Sequence, residues 1–295
     1  MNHHLQWTQE SIPNVPDDKQ IQFLQSNRKT TSITWVGHST FLIQTGGLNI
    51  LTDPIWTSFM GLKRRISAPE IHLDELPAID VVLLSHGQHL WLHFHTFHRI
   101  KGDPLYLVPN GLQEVFIGKG FNHVKEVSWW NHFVKIPLQF TFVPSHRGTR
   151  KSLFDEKKCS TGGWICHNPK TKEHIYFAGD TGYFPGFTEI GRKYAIDIAI
   201  IPIGPSKPQW FRKTDVMPLE DAVQAFIDVQ AKQFIPMQNG TVAFSESEQE
   251  LWTRLRDEWR KRGLLDHTLR LLRQGETWKI ESSPSNPGPG GGYLQ

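Results

Sequence analysis

Residues 35–56 read WVGHSTFLIQTGGLNILTDPIW, a stretch in which glycines separate short runs rich in β-branched and aromatic residues. The runs at 33–36, 40–44 and 48–51 are separated by Gly37 and by the pair Gly46 and Gly47. Apolar runs divided by glycine turns predict a β-meander of three antiparallel strands. The continuous apolar run VVLL at 81–84 predicts a strand that is buried on both faces.

The same reasoning extends the α/β pattern along the rest of the chain. Further strands are predicted at 105–108, 140–143, 163–166, 174–178 and 198–203, and helices at 110–117, 219–229 and 248–262. Strands with helices between them indicate α/β layers in a single domain over 1–281, of which 1–29 is an N-terminal extension. The segment 282–295, SSPSNPGPGGGYLQ, has the composition of a flexible Pro/Gly-rich tail.

Composition excludes several classes of function. With 38% hydrophobic and 21% charged residues the chain has enough apolar surface for a sizeable core. The net charge of +3 comes from scattered basic residues, which argues against a nucleic-acid partner. No apolar run reaches the length of a transmembrane segment, so a cytoplasmic location is expected. The two cysteines, Cys159 and Cys166, are expected to be thiols, and the oligomeric state is left open.

Polar residues follow several predicted strands. His38, Asp53, His86 and Asp180 each stand two positions after the end of an apolar run. Each position alone is also compatible with ordinary turn chemistry. Together they predict a small-molecule site on the rim of the sheets.

These residues carry a family resemblance. The stretches at 35–56, 81–86 (VVLLSH), 175–191 (IYFAGDTGYFPGFTEIG), 198–204 (IAIIPIG) and 222–237 (AVQAFIDVQAKQFIPM) resemble the metallo-β-lactamase superfamily. Within it, they are similar to the branch of N-acyl-phosphatidylethanolamine phospholipase D. The resemblance implies an αββα four-layer sandwich that hydrolyses phosphoester, lactone or related bonds with two zinc ions and a bridging hydroxide.

The departures from the family pattern concern the metal ligands. Leucine and tryptophan have no zinc-donating atom, and a glutamine amide is a poor zinc ligand. We therefore expect no zinc or one zinc ion, not two, with residual ligands at two positions only. The family ligands His-x-His-x-Asp-His fall on His86, Gln88, Leu90 and Trp91, the later histidine on Arg147 beside His146, the bridging aspartate on Asp180 and the last histidine on Gln238.

Two chemistries remain open for this altered pocket. A metal-free ester hydrolysis needs a nucleophile, a base and an oxyanion donor. A single displaced zinc ion could instead use His89 and His93, which are four residues apart as on one helix face. For the metal-free mechanism the candidates are Cys159 or Ser160 as nucleophile, His146 or His89 as base, and Gln238 or Asn239 as donor, in a pocket of Gln88, Leu90, Trp91, Arg147, Gln238 and Asn239.

The sequence thus predicts a remodelled hydrolase scaffold, divergent or engineered, without the two-zinc centre. Its ligand or substrate is a small molecule, and any activity is hydrolysis of ester or phosphoester bonds. The alternatives are a single-zinc hydrolase with a displaced site, and a non-catalytic binding protein or pseudoenzyme.

Overall fold

The computed structural model describes residues 15–57, 59–60, 63–64, 68–87, 93–146, 161–204, 217–238 and 248–281. The predicted tail 282–295 lies outside these ranges. No helix within them is both long and apolar enough to cross a membrane.

Seven strands form the first sheet, in the order β15-β1-β2-β3-β6-β7-β8. Strands β1, β2 and β3 are antiparallel, whereas β3, β6, β7 and β8 are parallel. The last strand of the sequence, β15, pairs antiparallel with β1. A separate two-stranded hairpin, β4 (Phe59–Met60) with β5 (Lys63–Arg64), lies between β3 and β6 in the chain. The seven strands are β1 (Ser32–Gly37), β2 (Thr40–Thr45), β3 (Leu48–Thr52), β6 (Val81–Leu83), β7 (Leu105–Pro109), β8 (Val124–Val127) and β15 (Thr277–Lys279).

Six strands form the second sheet, in the order β14-β13-β12-β11-β10-β9. Strands β9 to β12 are antiparallel, whereas β12, β13 and β14 are parallel. The strands are β9 (His132–Lys135), β10 (Leu138–Pro144), β11 (Gly162–Asn168), β12 (Glu173–Phe177), β13 (Ile198–Pro202) and β14 (Gln233–Met237).

In the part of the chain that the structure describes, six helices cover the outer faces of the two sheets. The first three pack on the first sheet through the cluster that contains Leu24, Phe97 and Phe116. The last three pack on the second sheet through Phe187, Phe226 and Trp259. The helices are α1 (Asp18–Ser26), α2 (Phe94–Phe97), α3 (Gln113–Ile117), α4 (Gly186–Lys193), α5 (Leu219–Asp228) and α6 (Glu248–Lys261), with short 3₁₀ turns at Leu73–Glu75 and Asp266–Thr268.

The facing sides of the sheets enclose the central core. Alternate residues of β1, such as Ile33 and Trp35, meet Phe142 and Trp164 from the second sheet. The indole Nε1 of Trp164 also donates a 2.8 Å hydrogen bond to the Leu84 carbonyl, which joins the two sheets at the end of β6. The predicted αββα sandwich is therefore confirmed, with a layer of helices on each side of two stacked sheets.

Some element boundaries differ from the sequence prediction. The helix expected at 110–117 begins only at Gln113, because β7 runs to Pro109 and Leu112 is the helix N-cap. The described part of the predicted N-terminal extension is packed on the domain. Its helix α1 buries Leu24, whose carbonyl accepts a 2.8 Å hydrogen bond from the Gln44 side chain.

Candidate functional site

A buried chain of three polar side chains lies at the end of β6. Asp53 is 6% exposed, and it accepts hydrogen bonds from the backbone N–H of Ser85 at 2.8 Å and from the Ser85 hydroxyl at 2.6 Å. The Ser85 Oγ lies 2.8 Å from Nδ1 of His86, which is also buried. Asp53 follows β3 and Ser85 follows β6, two neighbouring parallel strands that end at the same edge of the sheet. The parallel pairing therefore brings together residues that are 32 positions apart.

This arrangement determines the tautomer of His86. An ionised carboxylate can only accept hydrogen bonds, so the single hydroxyl proton of Ser85 points to Asp53. The Ser85 oxygen must then accept a hydrogen bond from Nδ1–H of His86. The lone pair of the neutral imidazole consequently lies on Nε2, the nitrogen that would bind a metal or accept a proton.

Loops of the second sheet approach the same serine. The backbone N–H of Gly162 donates to the Ser85 carbonyl at 2.9 Å. Gly179, with φ +68°, passes so close that a Cβ placed there would lie 2.4 Å from the Cβ of Ser85. Asp180 follows directly and is half-buried. Ser85 is thus the point where the loop after β6, the start of β11 and the loop after β12 meet.

His146 lies on the loop after β10. Its backbone forms an isolated bridge to Gly182, with a 2.7 Å hydrogen bond from the Gly182 N–H to the His146 carbonyl. The Thr181 hydroxyl oxygen accepts the His146 N–H at 2.9 Å. The imidazole itself is solvent-exposed, and its ring centroid lies 6.3 Å from that of Phe184. The His146 backbone is thus paired with Gly182, which is two residues after Asp180, while the imidazole that was predicted as a base faces solvent.

Gln238 closes the site from the end of β14. Its backbone N–H donates to the His38 carbonyl at 3.1 Å, and its Nε2 donates to Ser39 Oγ at 3.0 Å. One N–H of the predicted oxyanion donor therefore helps to hold the loop between β1 and β2. The indole N–H of Trp35 donates to the same His38 carbonyl at 3.0 Å.

Three non-glycine residues of this region have positive φ. The values are +54° at His38, +32° at Asp53 and +70° at Gln238. Such conformations cost on the order of 1–3 kcal/mol each and are concentrated at functional sites. At all three positions the hydrogen bonds described above hold the backbone in place.

Most residues of the predicted pocket lie outside the described ranges. His93 lies outside this predicted pocket. It is the N-cap of α2 and its backbone is not helical, so it does not lie on the helix face that was predicted to carry both His89 and His93. Burial lowers the pKa of His93 below its usual value. His95 is exposed, and His98 stacks on Phe121 with ring centroids 4.5 Å apart. The predicted residues outside the described ranges are Gln88, His89, Leu90, Trp91, Arg147, Cys159, Ser160 and Asn239.

Cys166 and Ser85 are two further residues whose surroundings the structure defines. Cys166 is buried in β11 as predicted, and burial, with Glu173 nearby, raises the pKa of its thiol far above the usual range. Ser85, which links Asp53 to His86, was not predicted as a site residue from the sequence. The only signal for it was its position directly between a buried strand and a histidine.

Side chains that could bind a metal are sparse in the described part of the site. Within the described ranges, no three or more His, Cys, Asp or Glu side chains are grouped so that they could hold a metal ion. His86 and Asp180 are the two family ligand positions there that retain a donor side chain. At the third described position, Gln238, the amide is bonded to Ser39.

Comparison with known proteins identifies the family. A family model described as a beta-lactamase superfamily domain matches residues 48–237. The N-acyl-phosphatidylethanolamine-hydrolyzing phospholipase D 1 of Caenorhabditis elegans is 30% identical over 91% of this chain and 84% of that protein. A metal-dependent hydrolase of Methanopyrus kandleri is 26% identical over 84% of this chain and 99% of that protein. The mitochondrial N-acyl-phosphatidylethanolamine-hydrolyzing phospholipase D of Saccharomyces cerevisiae is 29% identical over 72% of this chain, which spans about half the length of that relative (48%).

Solved structures show the same fold. A metallo hydrolase from Ignicoccus hospitalis matches with a TM-score of 0.64 and 21% identity, over 86% of this chain and 99% of that structure. A possible metal-dependent hydrolase from Veillonella parvula matches with a TM-score of 0.69 and 14% identity, over 85% of this chain and 100% of that structure. At these identities the likeness concerns the fold alone.

Proposed function

The chain belongs to the beta-lactamase superfamily, and from this membership we propose that it hydrolyses an ester or phosphoester bond of a small molecule without a two-metal centre. The reaction site is the junction of the loops that carry His86, His146, Asp180 and Gln238. The observation that carries the proposal is the buried Asp53–Ser85–His86 chain, which keeps one imidazole in a defined tautomer.

The residues at the family ligand positions do not fit two zinc ions. Each zinc ion needs about four donors, of which at least three come from the protein. Leu90 and Trp91 supply no donor atom, and Arg147 is a cation that repels a metal. The donor chemistry therefore supports at most one metal ion, and no step of the proposed reaction passes through a pair of metals.

In the metal-free reaction His86 accepts the proton. Its Nε2 lone pair takes a proton from the attacking water, or from Cys159 or Ser160 if one of these is the nucleophile. The imidazolium is then stabilised through Nδ1–H by the Ser85 oxygen, whose proton remains on the side of Asp53. The proton on Nε2 then passes to the leaving oxygen as the scissile bond breaks, so that His86 returns to its neutral form. With Cys159 or Ser160 as nucleophile, a water deprotonated by His86 then cleaves the covalent intermediate, and the proton returns to the released side chain. Ser85 is only 1% exposed, and its hydroxyl donates a hydrogen bond to Asp53. It therefore positions His86 and does not attack the substrate.

A single-metal hydrolase is the second candidate. The relatives named as metal-dependent hydrolases favour it, as does the tautomer of His86, since Nε2 is the ligating nitrogen in this arrangement. His86 and Asp180 would hold the ion, and a third donor such as His89 would have to come from outside the described ranges. Such an ion would polarise the scissile bond or lower the pKa of a bound water.

Elemental analysis of the purified protein, combined with esterase assays, tests the proposal. We expect fewer than two zinc ions per chain, and hydrolysis of p-nitrophenyl acetate or bis-p-nitrophenyl phosphate that a chelator leaves unchanged. His86→Asn is the sharpest variant, because an asparagine amide can still donate to Ser85 Oγ but lacks the Nε2 lone pair. This variant should lose about 10²- to 10⁴-fold in kcat, the usual contribution of a general base.

Other results separate the alternatives. Activity that the chelator abolishes, with one metal ion lost in His86→Asn, would favour the single-metal hydrolase. Two tightly held zinc ions per chain would refute the proposal. No activity in a broad panel of esters and phosphoesters would leave the binding protein or pseudoenzyme as the remaining interpretation.

A further inference from the structure

A concave groove lies beside β15, an edge strand of the first sheet. The groove has a volume of about 550 Å³ and runs between α6 and the segment that leads into β15. Here β14 and β15, the edge strands of the two sheets, come close together, since Arg270 donates its backbone N–H to the Phe234 carbonyl of β14. The volume lies within the range of about 300–1,000 Å³ that small-molecule pockets occupy.

Arg270 is held rigidly in this groove. Its Nε donates a 3.0 Å hydrogen bond to the side-chain oxygen of Gln233, and its guanidinium carbon lies 4.9 Å from the centroid of the Trp278 ring. The side chain is half-buried, and no carboxylate of the described ranges forms an ion pair with it. A partly desolvated guanidinium whose Nη groups have no carboxylate partner is a prepared anion site.

The charges that line the groove favour an anion. Four cationic side chains, Arg256, Arg260, Arg270 and Lys279, face two carboxylates, Asp266 and Glu276, which leaves a net charge of +2. Both carboxylates already have a partner. Asp266 pairs with Arg260 at 3.3 Å, and Glu276 accepts the backbone N–H at position 273 at 2.8 Å. Within the described ranges, neither acid forms an ion pair with the guanidinium of Arg270.

Apart from Thr277, the remaining lining residues are apolar. Leu269, Leu271, Leu272 and the ring of Trp278 line the same groove as the cations. Leu272 is buried in the central core, so this wall is fixed by the fold. A site with an apolar wall and a fixed cation selects molecules that have both an anionic group and an apolar body.

We propose that this groove binds a small amphipathic anion. Its carboxylate or phosphate group is held by the Nη groups of Arg270, with Arg256 contributing from α6. Its apolar body packs on Trp278 and the leucine wall. The proposal is independent of any hydrolytic activity, because none of these residues belongs to the loops that carry His86 or Asp180.

Isothermal titration calorimetry with phenyl phosphate, benzoate and inorganic phosphate tests the proposal on the full chain. We expect phenyl phosphate and benzoate to bind with a 1:1 stoichiometry and a Kd below about 1 mM. Inorganic phosphate should bind at least about tenfold more weakly, because it leaves the apolar wall unused. Arg270→Gln should weaken phenyl phosphate at least about tenfold through loss of charge-assisted hydrogen bonds.

Two further variants control for a general effect of charge and for loss of folding. Arg192→Gln changes the net charge equally at an exposed position of α4 and should leave the Kd within about twofold. Arg256→Gln, on the exposed face of α6, should weaken binding without threatening the fold if Arg270→Gln proves unstable. The proposal is overturned if neither organic anion binds, if inorganic phosphate binds as tightly as phenyl phosphate, or if both groove variants bind like the parent protein.

Discussion

Replacing Gly179 by alanine tests the central feature of the site, the contact of two loops at Ser85. Gly179 has φ +68°, and an added Cβ would lie 2.4 Å from Ser85 Cβ, 2.7 Å from the Gly162 carbonyl oxygen and 3.0 Å from Ser85 Oγ. Two of these three neighbours belong to the hydrogen-bonded Ser85, and the third is backbone. The loop therefore cannot relieve the overlap by rotating a flexible side chain.

The expected cost has two parts, and a second glycine separates them. The left-handed backbone costs an alanine about 1–2 kcal/mol. Overpacking against neighbours that cannot move away adds about 1–3 kcal/mol. Gly263 has almost the same φ, +70°, but nothing lies within 4 Å of its virtual Cβ. Gly263→Ala should therefore lose only the first part, about 1–2 kcal/mol, whereas Gly179→Ala should lose about 2–5 kcal/mol.

Urea unfolding of the parent protein and the two variants measures these differences. The free energy of unfolding should fall more in Gly179→Ala than in Gly263→Ala, with similar slopes in denaturant. Because the extra methyl displaces Ser85, any hydrolytic activity should also fall in Gly179→Ala and be retained in Gly263→Ala. Equal losses of stability in the two variants would show that the loops after β6 and β12 do not meet at Ser85.

Three further outcomes are expected. Trp164→Phe should lower the free energy of unfolding by about 2–4 kcal/mol in urea titrations, because it deletes core volume and the hydrogen bond that joins the sheets; a loss below about 1 kcal/mol would contradict this role. His174 is half-buried, and its ring stacks on that of His167 with centroids 4.2 Å apart. Partial burial and His167 together outweigh the Asp197 carboxylate and lower the pKa of His174 from 6.5. The unfolded chain binds the proton more readily, so stability should decline as the pH falls from 6.5 towards the lowered folded pKa, and His174→Gln should flatten this decline in unfolding measured at successive pH values. In Cys159→Ala, the buried Cys166 thiol with its raised pKa should resist iodoacetamide near neutral pH until the protein is unfolded, as mass spectrometry would detect; rapid labelling of the native variant would refute its burial.

The local pattern of the sequence was sufficient for the central strands. Strands β1, β2 and β3 appear where glycines break alternating apolar runs, and the runs at 81–84 and 198–203 contain the buried strands β6 and β13. These elements bury their own apolar side chains, so burial is visible in composition and period. Helices α5 and α6 were predicted within one residue at each end, because their apolar faces repeat at helical spacing.

Other elements have no such local signal. Strand β15 has only three residues, and it exists because Thr277 pairs with Thr34 across 243 positions of the chain. Strand β9 is mostly exposed along its length and is held only by its pairing with β10. Short edge strands gain their stability from non-local hydrogen bonds, which leave little trace in the local composition.

The candidate site divides in the same way. The sequence alone determined which donors are present, and therefore that Leu90 and Trp91 cannot replace an aspartate and a histidine as metal ligands, because donor capacity is a property of the side chain itself. It also placed His86 and Asp180 at strand ends. Only the tertiary structure decided that the Ser85 hydroxyl donates a hydrogen bond to Asp53 and that the Gln238 amide donates one to Ser39. Those partners come from other strands, and a hydrogen bond depends on distances that only the packing of two sheets sets.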